Sequence, residues 1–207
     1  MKNYLSTANS KLRKDNIAVF GIPAFRSKLG ESTCPNALAC IKGCYARQGA
    51  YVWSNVVSAY EDRYQLTKST AFIDTINAEL KRRKSIKIVR IHDSGDFYSE
   101  RYFSDWLAIV TSNPTIKFYT YTKMIAMVEL YKNEFELPNN LTIIYSQGGK
   151  EDKIIRETDK HSRVFNSLKE LKQAGYIDCS KRDINVFKGD KIGLVYHGAE
   201  SKRWVSK

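Results

Sequence analysis

Short apolar runs alternate along the chain with longer stretches in which apolar residues recur every three or four positions. The runs are rich in β-branched and aromatic residues, which is typical of buried strands. We predict strands at 16–23, at the start of 85–97, at 115–123, at 140–150 and at 191–198. The amphipathic stretches predict helices over 46–67, 70–84, 99–113, 124–137 and 161–175.

Strand and helix follow one another about every 25 to 30 residues, a rhythm typical of parallel strands joined by crossover helices. The fold class is therefore α/β. With about five strands, the parallel βα repeats fit an open sheet or an incomplete, irregular TIM-like barrel better than a complete barrel, which takes about 250 residues. We expect residues 1–207 to form a single α/β domain in which residues 1–16 are a loose N-terminal arm.

The least regular loops each follow a predicted strand. In parallel α/β folds the carboxyl ends of the strands meet at one edge of the sheet, and ligands bind there. The loops contain STCPNALACIKGCYARQGAY after the first strand, HDSGD after the second, TYTK at the end of the third and SQGGKED after the fourth. We therefore expect all four loops to contribute to a functional site.

Three of the four cysteines, Cys34, Cys40 and Cys44, fall within eleven positions of the first loop. Thiolates are soft ligands that suit zinc, copper(I) or iron–sulfur clusters. Structural zinc sites normally use two pairs of closely spaced ligands, and the C-x5-C-x3-C spacing here has no C-x2-C and no second pair. Three cysteines on a loop that leads into a helix suit one face of an iron–sulfur cube better. The alternative is three unrelated buried cysteines.

A [4Fe-4S] cube takes four ligands, and Cys179 is the candidate for the fourth. It comes far later in the chain and would have to return to the edge where the other cysteines lie. With this ligand the cluster is closed, which favours electron transfer, sensing or a structural role. Without it one iron is open to a substrate. The alternative for Cys179 is a lone structural thiol.

The loop after the second strand carries three candidate functional residues, His92, Asp93 and Asp96. An imidazole and carboxylates at a strand end could ligate iron, relay a proton or bind a substrate amine. The carboxylates could instead bind the backbone amides of a tight turn at Gly95. Both interpretations stay open for the two aspartates.

The third and fourth loops offer weaker candidates. Lys123 could contact an anion, or could be a solvated surface charge. Gly148 and Gly149 could let the backbone approach a bound cofactor closely, and a plain turn is the alternative.

The overall charge of the protein indicates one candidate partner. The formal net charge of +12 and a pI near 9.5 would attract polyanions, so nucleic acid is a candidate partner. The alternative is a protein with many surface lysines. No apolar run approaches the roughly 20 residues that span a bilayer, and the N-terminus lacks the apolar core of a signal peptide. We expect no membrane partner and a cytoplasmic location, where clustered thiols hold metals more often than disulfides. The oligomeric state is not indicated.

Four pieces of the sequence resemble the bacteriophage gene product 88 family. They are TCPNALACIKGCYA, RIHDSGDFYSERYFSDWLAIVTSNPTIKFYTYTK, NLTIIYSQGGKEDK and the terminal GLVYHG, which together extend from about Thr33 to Gly198. Members of this family resemble radical-SAM enzymes in carrying a cysteine loop at the head of a βα barrel-like core. The resemblance implies a radical-SAM-like barrel, a bound iron–sulfur cluster and a location in the cytoplasm of the host cell. Radical-SAM enzymes use C-x3-C-x2-C, and the different spacing here argues against S-adenosylmethionine as a second cofactor bound near Gly148 and Gly149.

Three functions follow as hypotheses. The first is a phage-type iron–sulfur protein that binds one [4Fe-4S] cluster through Cys34, Cys40 and Cys44, with a redox, catalytic or structural role. The second is a zinc-stabilised nucleic-acid-binding protein. The third is a radical-SAM enzyme proper, which needs an open iron. The sequence indicates neither a substrate nor a reaction.

Overall fold

The computed structural model describes residues 2–196. His197 and Gly198, at the end of the last predicted strand, lie outside the described residues. The helices are α1 (Ser10–Arg13), α2 (Ser54–Lys68), α3 (Phe72–Arg82), α4 (Glu100–Ser112), α5 (Ile125–Glu134) and α6 (Leu168–Gln173). The strands are β1 (Ile17–Phe20), β2 (Ile88–Ile91), β3 (Lys117–Thr122), β4 (Leu141–Ser146), β5 (His161–Phe165), β6 (Ile177–Asp178) and β7 (Lys191–Val195).

The strands form one sheet in the order β1-β2-β3-β4-β5-β7-β6, and every neighbouring pair is parallel. The sheet curls into a half-barrel. The predicted α/β class and the parallel βα repeats are thus confirmed, with seven strands among the described residues where the sequence predicted about five. Because all strands run the same way, their carboxyl ends lie at one edge of the sheet, which we call the carboxyl edge.

Both faces of the sheet are buried, and side chains alternate between them. Phe20 of β1 packs on the face covered by the long helices, where its ring centroid lies 5.2 Å from that of Trp106. Ile17 and Val19 point to the opposite face, which holds a second core. Burial on both sides explains why these strands read as continuous apolar runs. The second core consists of Leu12, Ile17, Val19, Tyr119, Ile144, Cys179, Val186 and Ile192.

The single helix predicted over 161–175 is wrong in its first half. Residues 161–165 form β5, which pairs with both β4 and β7, and only then does α6 begin. The hydroxyl of Ser167 caps α6 by accepting a hydrogen bond from the backbone N–H of Glu170. Ser and Glu at this spacing are a helix-start signal, so the local sequence did mark where the helix begins.

The helix predicted from Ala46 begins later, at Ser54. Residues 45–52 form two short 3-10 turns instead. Gly49, the first residue of the second turn, has φ of +60°, a conformation that does not fit a right-handed α-helix. The cysteine segment therefore stays irregular for longer than the apolar spacing predicts.

The N-terminal segment differs from the loose arm that the sequence predicts. Leu5 and Leu12 are each 1% exposed, one in each core. The backbone of Ser6 exchanges two hydrogen bonds of 2.8 Å with Val19 at the outer side of β1. The segment thus covers the free edge of the first strand, which would otherwise present unpaired backbone groups.

Among residues 2–196, none of the helices is both long enough and apolar enough to cross a membrane.

The carboxylate of Glu79 fixes the N-terminal segment. This side chain is 1% exposed and accepts hydrogen bonds from the backbone N–H groups of Tyr4 and Leu5 and from the Arg83 guanidinium, at 2.7, 3.2 and 2.6 Å. We predict that Glu79→Gln lowers the free energy of unfolding by about 1.5–3 kcal/mol, because bonds to a charged acceptor are lost in a buried site. Urea unfolding measures this.

The matched control is Glu136→Gln, an exposed site. We expect it to change the free energy of unfolding by less than about 0.5 kcal/mol. Equal effects of the two substitutions would show that Glu79 does not anchor the segment.

Candidate metal centre

The loops at the carboxyl edge contact one another directly. We call residues 21–53, between β1 and α2, the cysteine loop. Its Ile22 N–H donates to the Ser94 carbonyl at 3.0 Å, and its Thr33 carbonyl accepts from the Asp96 N–H at 2.8 Å. Ala37 pairs with Gly149 in a short antiparallel bridge. The structure therefore brings together the loops after β1, β2, β3 and β4, as the sequence predicts.

The glycine pair after β4 supports the cysteine loop. The Gly148 carbonyl accepts hydrogen bonds from the backbone N–H groups of Leu38 and Cys40, both at 3.3 Å. A Cβ on Gly149 would lie 2.9 Å from the Asn36 carbonyl oxygen and 3.1 Å from the Lys123 Cβ. Only glycine permits this close approach of two loops. The close approach that the sequence predicts for these glycines is thus made to protein backbone.

The thiols of Cys34, Cys40 and Cys44 are free and half-buried on this loop. Burial, with Asp96 and the other two loop thiols nearby, raises the pKa of Cys34 to about 12. Burial also raises the pKa of Cys44, against the opposing pull of Lys123 and Arg47. Both thiols are thus protonated at neutral pH without a metal, so metal binding must release protons.

Two backbone amides already point at the sulfurs. The N–H of Phe25 donates to Cys34 Sγ at 3.3 Å, and the N–H of Ala46 donates to the sulfur of Cys44. Phe25 holds φ of +65°, which is strained for an aromatic residue. N–H···S bonds of this kind stabilise thiolates and tune the potential of iron–sulfur clusters.

Cys179 lies elsewhere. It follows β6, is 0% exposed and packs in the second core with Ile17 and Tyr119. The charged groups that act on its thiol are Asp183, Lys11, Asp178 and Lys160, and burial raises its pKa to about 12. The structure does not bring this cysteine to the other three.

No three Cys, His, Asp or Glu side chains within the described part of the chain are grouped so that they could hold one metal ion. A single zinc ion needs its sulfur ligands about 2.3 Å away on every side. The cysteines of a [4Fe-4S] cluster bind different iron atoms, so their sulfur atoms lie farther apart than those that bind a single zinc ion. The described residues therefore show no ready site for a single metal ion.

Asp96 joins three loops. Its carboxylate accepts hydrogen bonds from the Thr122 hydroxyl at 2.7 Å and from the backbone N–H groups of Lys123 and Phe97, both at 2.8 Å. Burial raises its pKa, and these hydrogen bonds oppose the rise. All the contacts are to protein groups, which is the structural role that the sequence left open for this aspartate.

Asp93 and His92 point in different directions. One Asp93 oxygen accepts hydrogen bonds from the hydroxyls of Tyr60 at 2.8 Å and Tyr51 at 3.1 Å. A Cβ on Gly21 would lie 2.0 Å from the other oxygen, so this carboxylate needs glycine beside it. The His92 ring instead enters the first core.

The His92 environment is apolar. Its Nε2 lies 2.8 Å from the Tyr102 hydroxyl and its ring centroid lies 4.8 Å from that of Phe97. Burial, together with the nearby Arg90 charge, lowers its pKa to about 3. His92 is thus neutral at physiological pH and faces away from the cysteine loop.

Lys123 lies near Cys44. Its Nζ donates to the Ser146 hydroxyl at 2.7 Å, and its charge favours the thiolate form of Cys44. The anion contact that the sequence allowed for Lys123 stays a prediction.

Three contributing residues were missed from the sequence, namely Tyr51, Tyr60 and Asp183. Tyr51 and Tyr60 lie in a stretch read as plain helix, and nothing in their spacing indicates that they meet at Asp93. Arg90 forms a buried ion pair with Asp183 at 2.8 Å. A charged residue among the apolar positions of β2 indicates a buried partner of opposite charge. The sequence does not show which acidic residue that partner is.

Comparison with known proteins shows which family the chain belongs to. The sequence model described as Gene product 88 matches residues 2–203, nearly the whole chain. The chain belongs to the Gene product 88 family. No solved structure matches it, and the radical-SAM-like barrel stays a prediction.

Two relatives are each called "Gene 88 protein". The one from Mycobacterium phage L5 is 31% identical over 126 residues, which are 55% of this chain and 52% of the relative. The one from Mycobacterium phage D29 is 28% identical over 126 residues, which are 55% of this chain and 51% of the relative. The matched part thus spans about half the length of each of these Gene product 88 relatives.

Gly149→Ala tests the support of the cysteine loop. The added methyl would displace the Asn36 backbone, so we expect a loss of about 1–3 kcal/mol in the free energy of unfolding. We also expect faster alkylation of Cys40 by iodoacetamide, followed by mass spectrometry of the native protein. In the control Gly189→Ala the added Cβ meets only the end of the Ile177 side chain, at 2.8 Å. Unchanged alkylation in Gly149→Ala would contradict this role.

His92 makes stability depend on pH. The unfolded chain binds a proton at this site below its usual pKa near 6.5, whereas the folded protein does not until about pH 3. Stability should therefore fall as pH drops through this window, by up to about 1.4 kcal/mol per pH unit. In His92→Asn, which tolerates the positive φ, the fall between pH 7 and pH 5 should be shallower. Parallel curves from urea unfolding of metal-free protein would refute this.

Proposed function

We propose that this Gene product 88 member is an iron–sulfur protein that binds one [4Fe-4S] cluster through Cys34, Cys40 and Cys44. One observation carries the proposal. Three half-buried thiols lie on one irregular loop at the carboxyl edge of a parallel half-barrel, the edge where α/β folds bind ligands.

The surroundings of the thiols suit a cluster. Lys123 and Arg47 supply positive charge beside Cys44, which would offset the negative charge of a thiolate-bound cluster. The N–H groups of Phe25 and Ala46 would donate to ligand sulfurs. When bound, such a cluster can store or transfer an electron. The chain's own part is to supply the thiolates, the N–H···S bonds and the counter-charges.

We further propose that Cys179 is not a ligand. Its thiol is enclosed by the second core on the face of the sheet opposite the long helices. Moving it to the cysteine loop would require that core to open. The fourth iron would then be free for a ligand from outside these four cysteines.

Anaerobic reconstitution with iron and sulfide tests both statements. We expect about four iron and four sulfide per chain in the unaltered protein, with the visible absorbance of a cysteine-ligated cluster. Cys179→Ala should keep that stoichiometry. Cys40→Ala should lose most of the cluster, because it removes one of the three loop ligands. The pair is matched, since each substitution removes one thiol.

The contrary outcomes are distinct. Loss of the cluster in Cys179→Ala would make that residue a ligand. Tight zinc with no sulfide would favour the zinc-stabilised nucleic-acid binder. Cleavage of S-adenosylmethionine by the reduced, cluster-loaded protein would favour the radical-SAM enzyme. Iron and sulfide far below cluster stoichiometry would end the iron–sulfur proposal.

A further inference from the structure

A cavity of about 290 Å³ opens between the cysteine loop and α2. Three basic side chains line it, those of Arg26, Lys28 and Arg47, together with Glu61 and Ser94. The backbone N–H of Lys28 donates to the Glu61 carboxylate at 2.6 Å, so the one acid named here already has a partner. The cavity therefore carries an excess of positive charge.

The two arginines are held in place by one aromatic ring. The guanidinium carbons of Arg26 and Arg47 lie 5.2 and 5.6 Å from the centroid of the Phe25 ring. Nη1 of Arg26 donates a hydrogen bond to the Gly30 carbonyl at 2.8 Å, and Nη1 of Arg47 donates one to the Ile41 carbonyl at 3.2 Å. Each guanidinium has five N–H donors, so most remain for a ligand. Two like charges at one ring favour an anion between them.

We propose that this cavity binds the phosphate group of a small phosphate monoester. A phosphate group brings close to two negative charges and three strong acceptor oxygens, which match the donors of the two guanidinium groups. Arginine is the side chain whose planar donors best fit phosphate. The volume lies at the lower end of ligand pockets, about 300–1,000 Å³, so a molecule the size of a mononucleotide fits better than a larger one. The proposal does not depend on a metal at the cysteines.

Calorimetric titration of the full-length protein with adenosine monophosphate tests it, with inorganic phosphate as competitor. We expect saturable binding that phosphate competes away. The double variant Arg26→Gln/Arg47→Gln should weaken binding by about tenfold or more, since charge-assisted bonds are lost.

The charge-matched control is Lys81→Gln/Lys87→Gln, two exposed lysines outside the cavity lining. It should bind as the unaltered protein does. Absence of saturable binding at millimolar adenosine monophosphate would overturn the proposal, as would unchanged affinity in Arg26→Gln/Arg47→Gln. Binding of a single-stranded oligonucleotide without binding of the mononucleotide would also overturn it, in favour of a nucleic-acid surface.

Discussion

The buried carboxylate of Asp96 is the contact on which the carboxyl edge depends. It receives hydrogen bonds from the end of β3, while its own N–H reaches the Thr33 carbonyl beside Cys34. The loops after β1, β2 and β3 thus share one residue. Parallel strands bring such loops to the same edge, but they do not fix the distance between them. Here the Asp96 carboxylate sets that distance. A buried carboxylate costs free energy unless its hydrogen-bond donors stay in place, so the loops that supply these donors are held together.

The cysteine loop has little regular structure of its own. Its position comes from other loops, through the Gly148 carbonyl and the Thr33 contact. A segment held in this way opens more easily than the strands beneath it. Binding of an inorganic group by its three thiols would therefore also stabilise the fold, since metal affinity and folding free energy are coupled where ligands must be brought together.

Apolar periodicity was enough to predict five of the seven parallel strands in the described residues, most of the crossover helices and the edge where the informative loops meet. It failed where local signals competed. Residues 161–165 read as helix because their pairing with β4 and β7 involves distant residues that no local pattern encodes. For the site, the sequence could predict which loops meet but not where side chains point. His92 turned into the core and Cys179 into the opposite face, and both orientations follow from tertiary packing.

The two ends of the sheet have different consequences for association between molecules. At one end β6 is only two residues long, and at the other Ser6 occupies the outer side of β1. Neither edge of the sheet presents a long row of free backbone N–H and C=O groups with which a strand of another chain could pair. A shortened polypeptide beginning at Asn16 would expose β1, an apolar strand without charge, and would be expected to self-associate through it. The first fifteen residues thus act against aggregation.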